Sequence, residues 1–237
     1  EKSKKIIYLH FDMDDNLSLT EEIKERYRSM YSGVFYDRYI KGLWSIAEGV
    51  IYDMFDATKH VIKNITGLVG GQKYVSIDYG TQNATVFLLW EKNIKGQWVC
   101  TKEYYYSGRE KAEQKTDSEY VADLKKFLNG ISAKIIVDPS AASFIAELKK
   151  NGFSVKKARN DVLDGIRFVA TQLNEFNILF SDKCENTIKE FASYVWDAKA
   201  AERGEDKPVK QNDHAMDAVR YFCFTIMYRK SGISIFK

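Results

Sequence analysis

Five residues have the types and spacing to do chemistry together: Asp78, Asp138, Asp213, His214 and Asp217. Asp78 closes the apolar run Tyr74-Val75-Ser76-Ile77, and Asp138 closes a second one, Lys134-Ile135-Ile136-Val137. If those runs are neighbouring strands, both carboxylates open at one edge of a sheet. Asp213 and Asp217 lie one helical turn apart and share a helix face, with His214 beside them. Converging carboxylates are what hard divalent cations such as Mg2+ and Mn2+ take as ligands. Two such ions about 4 Å apart neutralise a phosphodiester, activate a water and stabilise the leaving oxygen. The chemistry suggested is metal-assisted hydrolysis of a phosphodiester.

Each residue also has a plainer reading. Asp138 stands before Pro139-Ser140 and suits a helix start, Asp213 suits an N-cap, and His214 alone suits a surface or packing role. Asp217 is the sharper case, because it interrupts the apolar helix Ala215-Met216-Asp217-Ala218-Val219. A charge there must face water or a site.

The elements that must position these residues follow from pattern. Ser18-Leu19-Thr20-Glu21 has the form of a capping box opening a helix of roughly Leu19 to Met30. Phe35, Tyr36, Tyr39 and Trp44 fall at near-helical spacing and are expected in the core rather than on a base-stacking platform. Three glycines between Gly67 and Gly71 mark a seam, giving a linker or subdomain over 1–66 and a main domain over 67–237. Beyond it, strands are expected over 74–78, 84–91 and 98–106, with an Asn93–Gly96 turn making a hairpin meander. A helix over 118–129 stops at Gly130, a strand over 134–138 leads to a helix from Pro139 to about Asn151, and a short strand covers 153–156. Helices over 161–175 and 183–196 flank an extended piece at 177–180, and a last helix runs from about Asp213 to Arg229. The polar stretch Ala198 to Gln211 is either an active-site flap or a loose connection. The fold class is α/β, a mixed sheet with helices on its faces and a small helical and extended N-terminal segment.

Bulk properties bound the function. The 237 residues carry 36 Lys and Arg against 33 Asp and Glu, a net charge of +3 that permits a nucleic-acid partner without demanding one. Cys100, Cys184 and Cys223 are widely spaced and odd in number, which points to free thiols in a reducing compartment. No apolar run approaches the ~20 residues needed to span a bilayer, so no membrane partner is expected. Lys156, Lys157, Arg159 and Arg167, with Lys207 and Lys210 before the last helix, form the candidate DNA-binding set. No element looks like a recognition helix for base edges, so weak sequence preference is expected.

Four segments together resemble the nuclease domain of large terminase subunits from tailed bacteriophages. They are Ile77-Asp78-Tyr79-Gly80, Ile136-Val137-Asp138-Pro139-Ser140, the stretch from Ala158 to Arg167, and the stretch from Asn212 to Tyr221. Upstream, Asp12 to Asn16 and Gly33 to Trp44 are similar to the region that joins that family's ATPase motor to its nuclease. The resemblance implies an RNase H-like fold and an endonuclease that cuts concatemeric viral double-stranded DNA during genome packaging. By motif, Asp78, Asp138 and Asp217 would bind two Mg2+ or Mn2+ ions, with His214 assisting and Asp213 as a further metal ligand or a cap. It also implies a small terminase subunit and a capsid portal as partners, and the cytoplasm of an infected bacterial host as the setting. One departure is large: there is no G-x-x-x-x-G-K-[ST] loop, and the chain opens at Glu1. The expectation is a C-terminal piece of a longer protein, with an ATPase motor upstream.

Three competing readings remain at this point. The triad alone does not exclude another RNase H-like nuclease, a junction resolvase or RNA-strand cutter, though the linker-like first 60 residues favour the terminase reading. A non-catalytic module docking DNA or a portal would keep the fold without the chemistry. Asp78-Tyr79-Gly80-Thr81 also resembles the phosphate loop of actin-like ATPases and sugar kinases, but the second glycine-rich loop that those need is missing. Charge reversal of Lys156 and Lys157 to Glu should weaken duplex binding and flatten its salt dependence. An unchanged slope of affinity against salt would remove both from the interface.

Overall fold

Alternating runs of β-branched and aromatic residues, cut by glycine and asparagine turns, give this chain its sheet. The computed structural model describes residues 9–80 and 83–228, with only the backbone of Glu110. Helices α1 (Glu21–Met30), α2 (Gly33–Tyr39) and α3 (Ala57–His60) come first, followed by the short strand β1 (Val61–Ile62). Strands β2 (Tyr74–Asp78), β3 (Ala84–Lys92) and β4 (Trp98–Ser107) form the meander, and α4 (Gly108–Lys111) and α5 (Asp117–Leu128) follow it. Then come β5 (Lys134–Val137), α6 (Ala142–Lys150), β6 (Val155–Lys157), α7 (Val162–Asn174) and β7 (Ile178–Ser181). The chain closes with α8 (Glu185–Ser193), α9 (Ala198–Glu202), α10 (His214–Phe222) and a π-helical turn over Cys223–Met227.

The strands make one sheet in the order β1-β7-β4-β3-β2-β5-β6. Only β3 runs against its neighbours, and every other pairing is parallel. Parallel neighbours need crossovers, and α5, α6 and α7 lie in the connections between strands while α8 and α10 add to the cover of one face. Alternation along β3 divides the core. Val86, Leu88 and Trp90 face a cluster that includes Ile166, Val169, Phe191 and Val219, whereas Phe87 and Leu89 face Tyr120, Leu124 and Phe144. This is the mixed sheet with helical layers that the pattern predicts, in the RNase H-like arrangement.

Helix α10 is fixed on the first of these faces by aromatic packing. Phe222 stacks on Trp90 at 4.2 Å and meets Tyr74 and Trp98 at 6.0 and 5.1 Å. Trp90 is wholly buried and donates Nε1–H to Ser76 Oγ at 2.9 Å. Residues before the glycine seam join the same core. Phe55 stacks on Phe191 at 4.0 Å, Tyr52 packs against Phe191 and Tyr194, and β1 pairs with β7.

Several local expectations shift. Helix α1 is capped by Thr20, whose hydroxyl accepts from Ile23 N, while Ser18 N turns back to Asn16 Oδ1. Helix α2 ends at Tyr39 because the chain turns at Gly42, where a Cβ would strike Phe11 O at 2.2 Å. Phe35 therefore reaches the core, but Tyr39 is about half exposed and Trp44 is 90% exposed. Helix α6 starts at Ala142, after a turn that Asp138 itself closes. Helix α10 gives way to the π turn after Phe222, and the expected end at Arg229 lies outside the described residues, as does Thr81. The stretch from Ala198 to Gln211 contains α9, and its Pro208 forms an isolated bridge with Trp196, next to the bridge between Val195 and Val50.

Candidate active site

Register brings the first two carboxylates together. Ile77 pairs with Val137 in the parallel ladder of β2 and β5, so Asp78 and Asp138 are the next residues along two neighbouring strands. Such strands lie about 4.8 Å apart, and residues in register share a face. Past Asp78 the chain doubles back tightly. Gly80 N donates to Thr85 Oγ1, and a Cβ at Gly80 would meet Ala84 O at 2.8 Å, so glycine is required there.

Helix α10 crosses this edge and presents His214, Asp217 and Tyr221 at i, i+3 and i+7, which is one helix face. His214 Nδ1 lies 3.0 Å from Asp78 Oδ2, and Tyr221 donates its hydroxyl to Asp138 Oδ2 at 2.9 Å. Asp217, between them, is held on Oδ1 by Arg220 Nη2 at 2.8 Å and on Oδ2 by Lys210 Nζ at 3.3 Å. Arg220 is almost fully buried and also donates to Asn160 O at 2.9 Å, which clamps the loop after β6 against the helix. The guanidinium stem passes over Gly165 so closely that a Cβ would meet its Cγ at 2.6 Å. Gly165 on α7 thus sets the path by which Arg220 reaches Asp217.

The N-terminus of α10 is satisfied from another helix. Asp213 occupies the N-cap position, but its side chain makes no capping bond and pairs instead with Lys210 at 3.0 Å. The open N–H groups of Ala215 and Met216 are taken by Glu190 Oε2 of α8 at 2.7 and 3.3 Å, and Tyr105 donates to Glu190 Oε1 at 2.9 Å. A carboxylate at a helix N-terminus also meets the positive end of the helix dipole. Glu190 therefore fixes the rotation and depth of the helix that carries His214 and Asp217.

The electrostatics separate the two strand-end acids. Burial pushes the Asp78 carboxyl up to about 6, and the charges of Asp217 and Asp213 add to this while the His214 hydrogen bond opposes it. Burial also acts to raise Asp138, but hydrogen bonds from Ser140, Tyr221 and Asn160 outweigh it and hold that carboxyl below the usual range. For His214, burial lowers the imidazole, yet the bond to Asp78 and the surrounding carboxylates win and raise it. Burial pushes Glu190 up to about 7 in spite of its three hydrogen bonds.

Asp78, Asp138 and Asp217 offer hard oxygen donors on rigid elements, which suits Mg2+ or Mn2+ in kind. The upward push on Asp78 comes first from burial, with a smaller share from the charges of Asp217 and Asp213, and a cation beside it would oppose both. Among the described residues, no three carboxylate, imidazole or thiolate groups gather closely enough to hold one ion as they stand. The hydrogen bonds give the reason: each of the three acids is turned toward a protein donor, namely His214, Tyr221 with Ser140, or Arg220 with Lys210.

The candidate DNA-contacting residues do not form one patch. Lys156 and Lys157 are exposed on the edge strand β6, and Lys157 pairs in register with Val137, beside the carboxylate end. Arg159 lies in the loop beyond, over the rings of Phe224 and Tyr228. Arg167 is engaged with Asp164, Tyr39 and the face of Phe35, so it serves the contact between α7 and α2. Lys207 pairs with Glu205 at 2.6 Å, and Lys210 lies within the carboxylate site. Sequence reasoning passed over Arg220, Tyr221, Asn160 and Glu190. The spacing of Arg220 and Tyr221 from Asp217, at i+3 and i+4, is the signal that finds the first two.

The sheet order, the crossing helix and the acids at one edge define an RNase H-like domain of the terminase nuclease type. The family described as "Terminase RNAseH like domain" matches residues 78–223, more than half of the chain, and the chain belongs to that family. It is 58% identical to the large terminase of a thermophilic bacteriophage, with a TM-score of 0.87 over 93% of this chain and 55% of that one. It is 26% identical over 217 residues to the terminase large subunit of Escherichia phage T5, covering 86% of this chain and 48% of the relative. The nuclease domain of the large terminase from bacteriophage SPP1, solved with bound Mn, shares the fold at 19% identity and a TM-score of 0.53, over 76% of this chain and 100% of that one. The chain thus spans about half the length of the first two of these relatives.

A raised acid leaves a pH signature. Glu190 binds its proton more tightly folded than unfolded, so its contribution to stability is greatest below about pH 4.5 and is lost as pH rises through about 7. Asp78 acts in the same sense through about 6. In a urea-unfolding series without metal, Glu190→Gln should lose less stability than the unaltered chain between about pH 5 and 7. Equal slopes for the two proteins would contradict the placement of Glu190.

Proposed function

We propose that this chain is a divalent-metal-dependent endodeoxyribonuclease domain that cuts concatemeric viral double-stranded DNA during genome packaging, with low sequence preference. The observation that carries the reading is the placement of Asp78 and Asp138 at adjacent strand ends, under the helix face that carries Asp217 between His214 and Tyr221. Asp78, Asp138 and Asp217 would hold two Mg2+ or Mn2+ ions, and Asp213 extends the acidic set. The Mn in the SPP1 relative supports a divalent ion in this fold. When bound, such ions supply charge neutralisation at the phosphate, an activated water and stabilisation of the leaving oxygen.

The chain's own residues do the positioning. Tyr221, Ser140 and Asn160 keep Asp138 ionised and aimed, while Arg220 keeps one oxygen of Asp217 fixed. His214 Nδ1, 3.0 Å from Asp78 Oδ2, would share a proton with that carboxylate and orient it. Lys156 and Lys157, on the edge strand next to Asp138, would meet the DNA backbone. In a full-length terminase, an upstream ATPase motor, a small terminase subunit and a capsid portal would be the partners, in the cytoplasm of an infected bacterium.

Plasmid digestion with Mn2+, Mg2+, Ca2+ or EDTA tests the reading directly. Cleavage is expected with Mn2+ or Mg2+ only, and to fall by about 100-fold or more in Asp78→Ala, Asp138→Ala and Asp217→Ala. Cleavage that survives Asp138→Ala would break the assignment. Faster cutting of a four-way junction or an RNA–DNA hybrid than of duplex DNA would turn it toward another RNase H-like nuclease.

A further inference from the structure

Asp217 has two cationic partners of opposite character. Arg220 grips Oδ1 from a side chain that is 2% exposed and cannot leave without unpacking α7. Lys210 grips Oδ2 at 3.3 Å and Asp213 Oδ2 at 3.0 Å, but its side chain is 61% exposed. The two carboxylates it joins are only 12% and 6% exposed. Lys210 therefore reaches inward from solvent to neutralise acids that are themselves buried. Its stem is flexible and its ammonium strongly hydrated, so withdrawal costs little desolvation. The segment behind it is fixed: Val209 N donates to Val195 O at 2.9 Å, which anchors the backbone next to Lys210. On its open side Lys210 lines a cleft of about 260 Å3 shared with His214, Asn212, Tyr105 and Arg109.

The geometry points to Lys210 as an exchangeable counter-ion of the Asp213–Asp217 pair, one that a divalent cation must displace from Asp217 Oδ2 in order to bind. This rests on the reading of Asp217 as a metal ligand. The ammonium and a divalent ion carry the same sign and need the same lone pairs, so they cannot share that oxygen at close range. In the resting protein Lys210 keeps two buried carboxylates from repelling one another. Once displaced, it swings into the cleft beside His214, where a phosphate of the DNA backbone is the anion that its charge would meet. Loading the acids with metal would thus free a cation for the substrate.

Calorimetric titration of the whole chain with MnCl2, without DNA, separates the possibilities. Lys210→Gln should bind Mn2+ at least about fivefold more tightly than the unaltered chain, because the competing charge is gone. Lys199→Gln, a charge removed from exposed α9, should stay within about twofold. Asp217→Asn should weaken binding in both the unaltered and the Lys210→Gln backgrounds. Metal-free Lys210→Gln should also melt at a lower temperature, with excess Mn2+ closing the gap. Unchanged or weaker Mn2+ binding by Lys210→Gln, while Asp217→Asn still loses it, would overturn the counter-ion role alone. Binding indifferent to Asp217→Asn, or none to either protein, would overturn the metal-site reading and this inference together.

Discussion

The arrangement depends on one contact: a single face of α10 meeting the ends of two parallel strands. His214 reaches Asp78, Tyr221 reaches Asp138, and Asp217 lies between. Burying a carboxylate as Asp217 is buried costs several kcal/mol unless it is paired and hydrogen-bonded. Arg220 provides that pairing and donates its other terminal nitrogen to the backbone of Asn160, while its buried Nε has no partner. The rest of the structure sets the depth and rotation of this helix. Phe222 wedges between Trp90, Tyr74 and Trp98 at its C-terminal end, and Glu190 takes the open N–H groups at the other. A shift of one residue along the helix would turn His214, Asp217 and Tyr221 away from both strands at once.

Rigidity and exchange are divided between different groups. Bonds made by buried donors, such as those of Arg220 and Tyr221, fix where each acid stands. Bonds made from the solvent side, above all those of Lys210, satisfy charge without locking it. Such a division suits a centre that must hold several carboxylates close together and still admit cations. Asp78 shows the strain of that requirement, because its carboxyl is pushed up by burial and by the neighbouring acids.

Much of this was legible in the sequence, and the reasons are physical. Asp78 and Asp138 stand out because a buried strand is a short apolar run, and a carboxylate at its end marks where the sheet opens. Asp217 stands out because a charge inside an apolar helix needs a partner. Partners drawn from distant elements are harder to read. Glu190 caps α10 from α8, and nothing within α8 signals that its carboxylate is spoken for. Arg167 groups with the other basic residues in sequence, but Asp164 one turn away and the rings of α2 claim it. Trp44 continues an aromatic spacing that stops being helical once the chain turns at Gly42.

Anomalous scattering from crystals soaked in MnCl2 would test the central claim most directly. The account predicts metal peaks at the open edge of β2 and β5, within ligand distance of oxygens from Asp78, Asp138 and Asp217. Peaks elsewhere, with these three acids still turned to His214, Tyr221 and Arg220 alone, would contradict it.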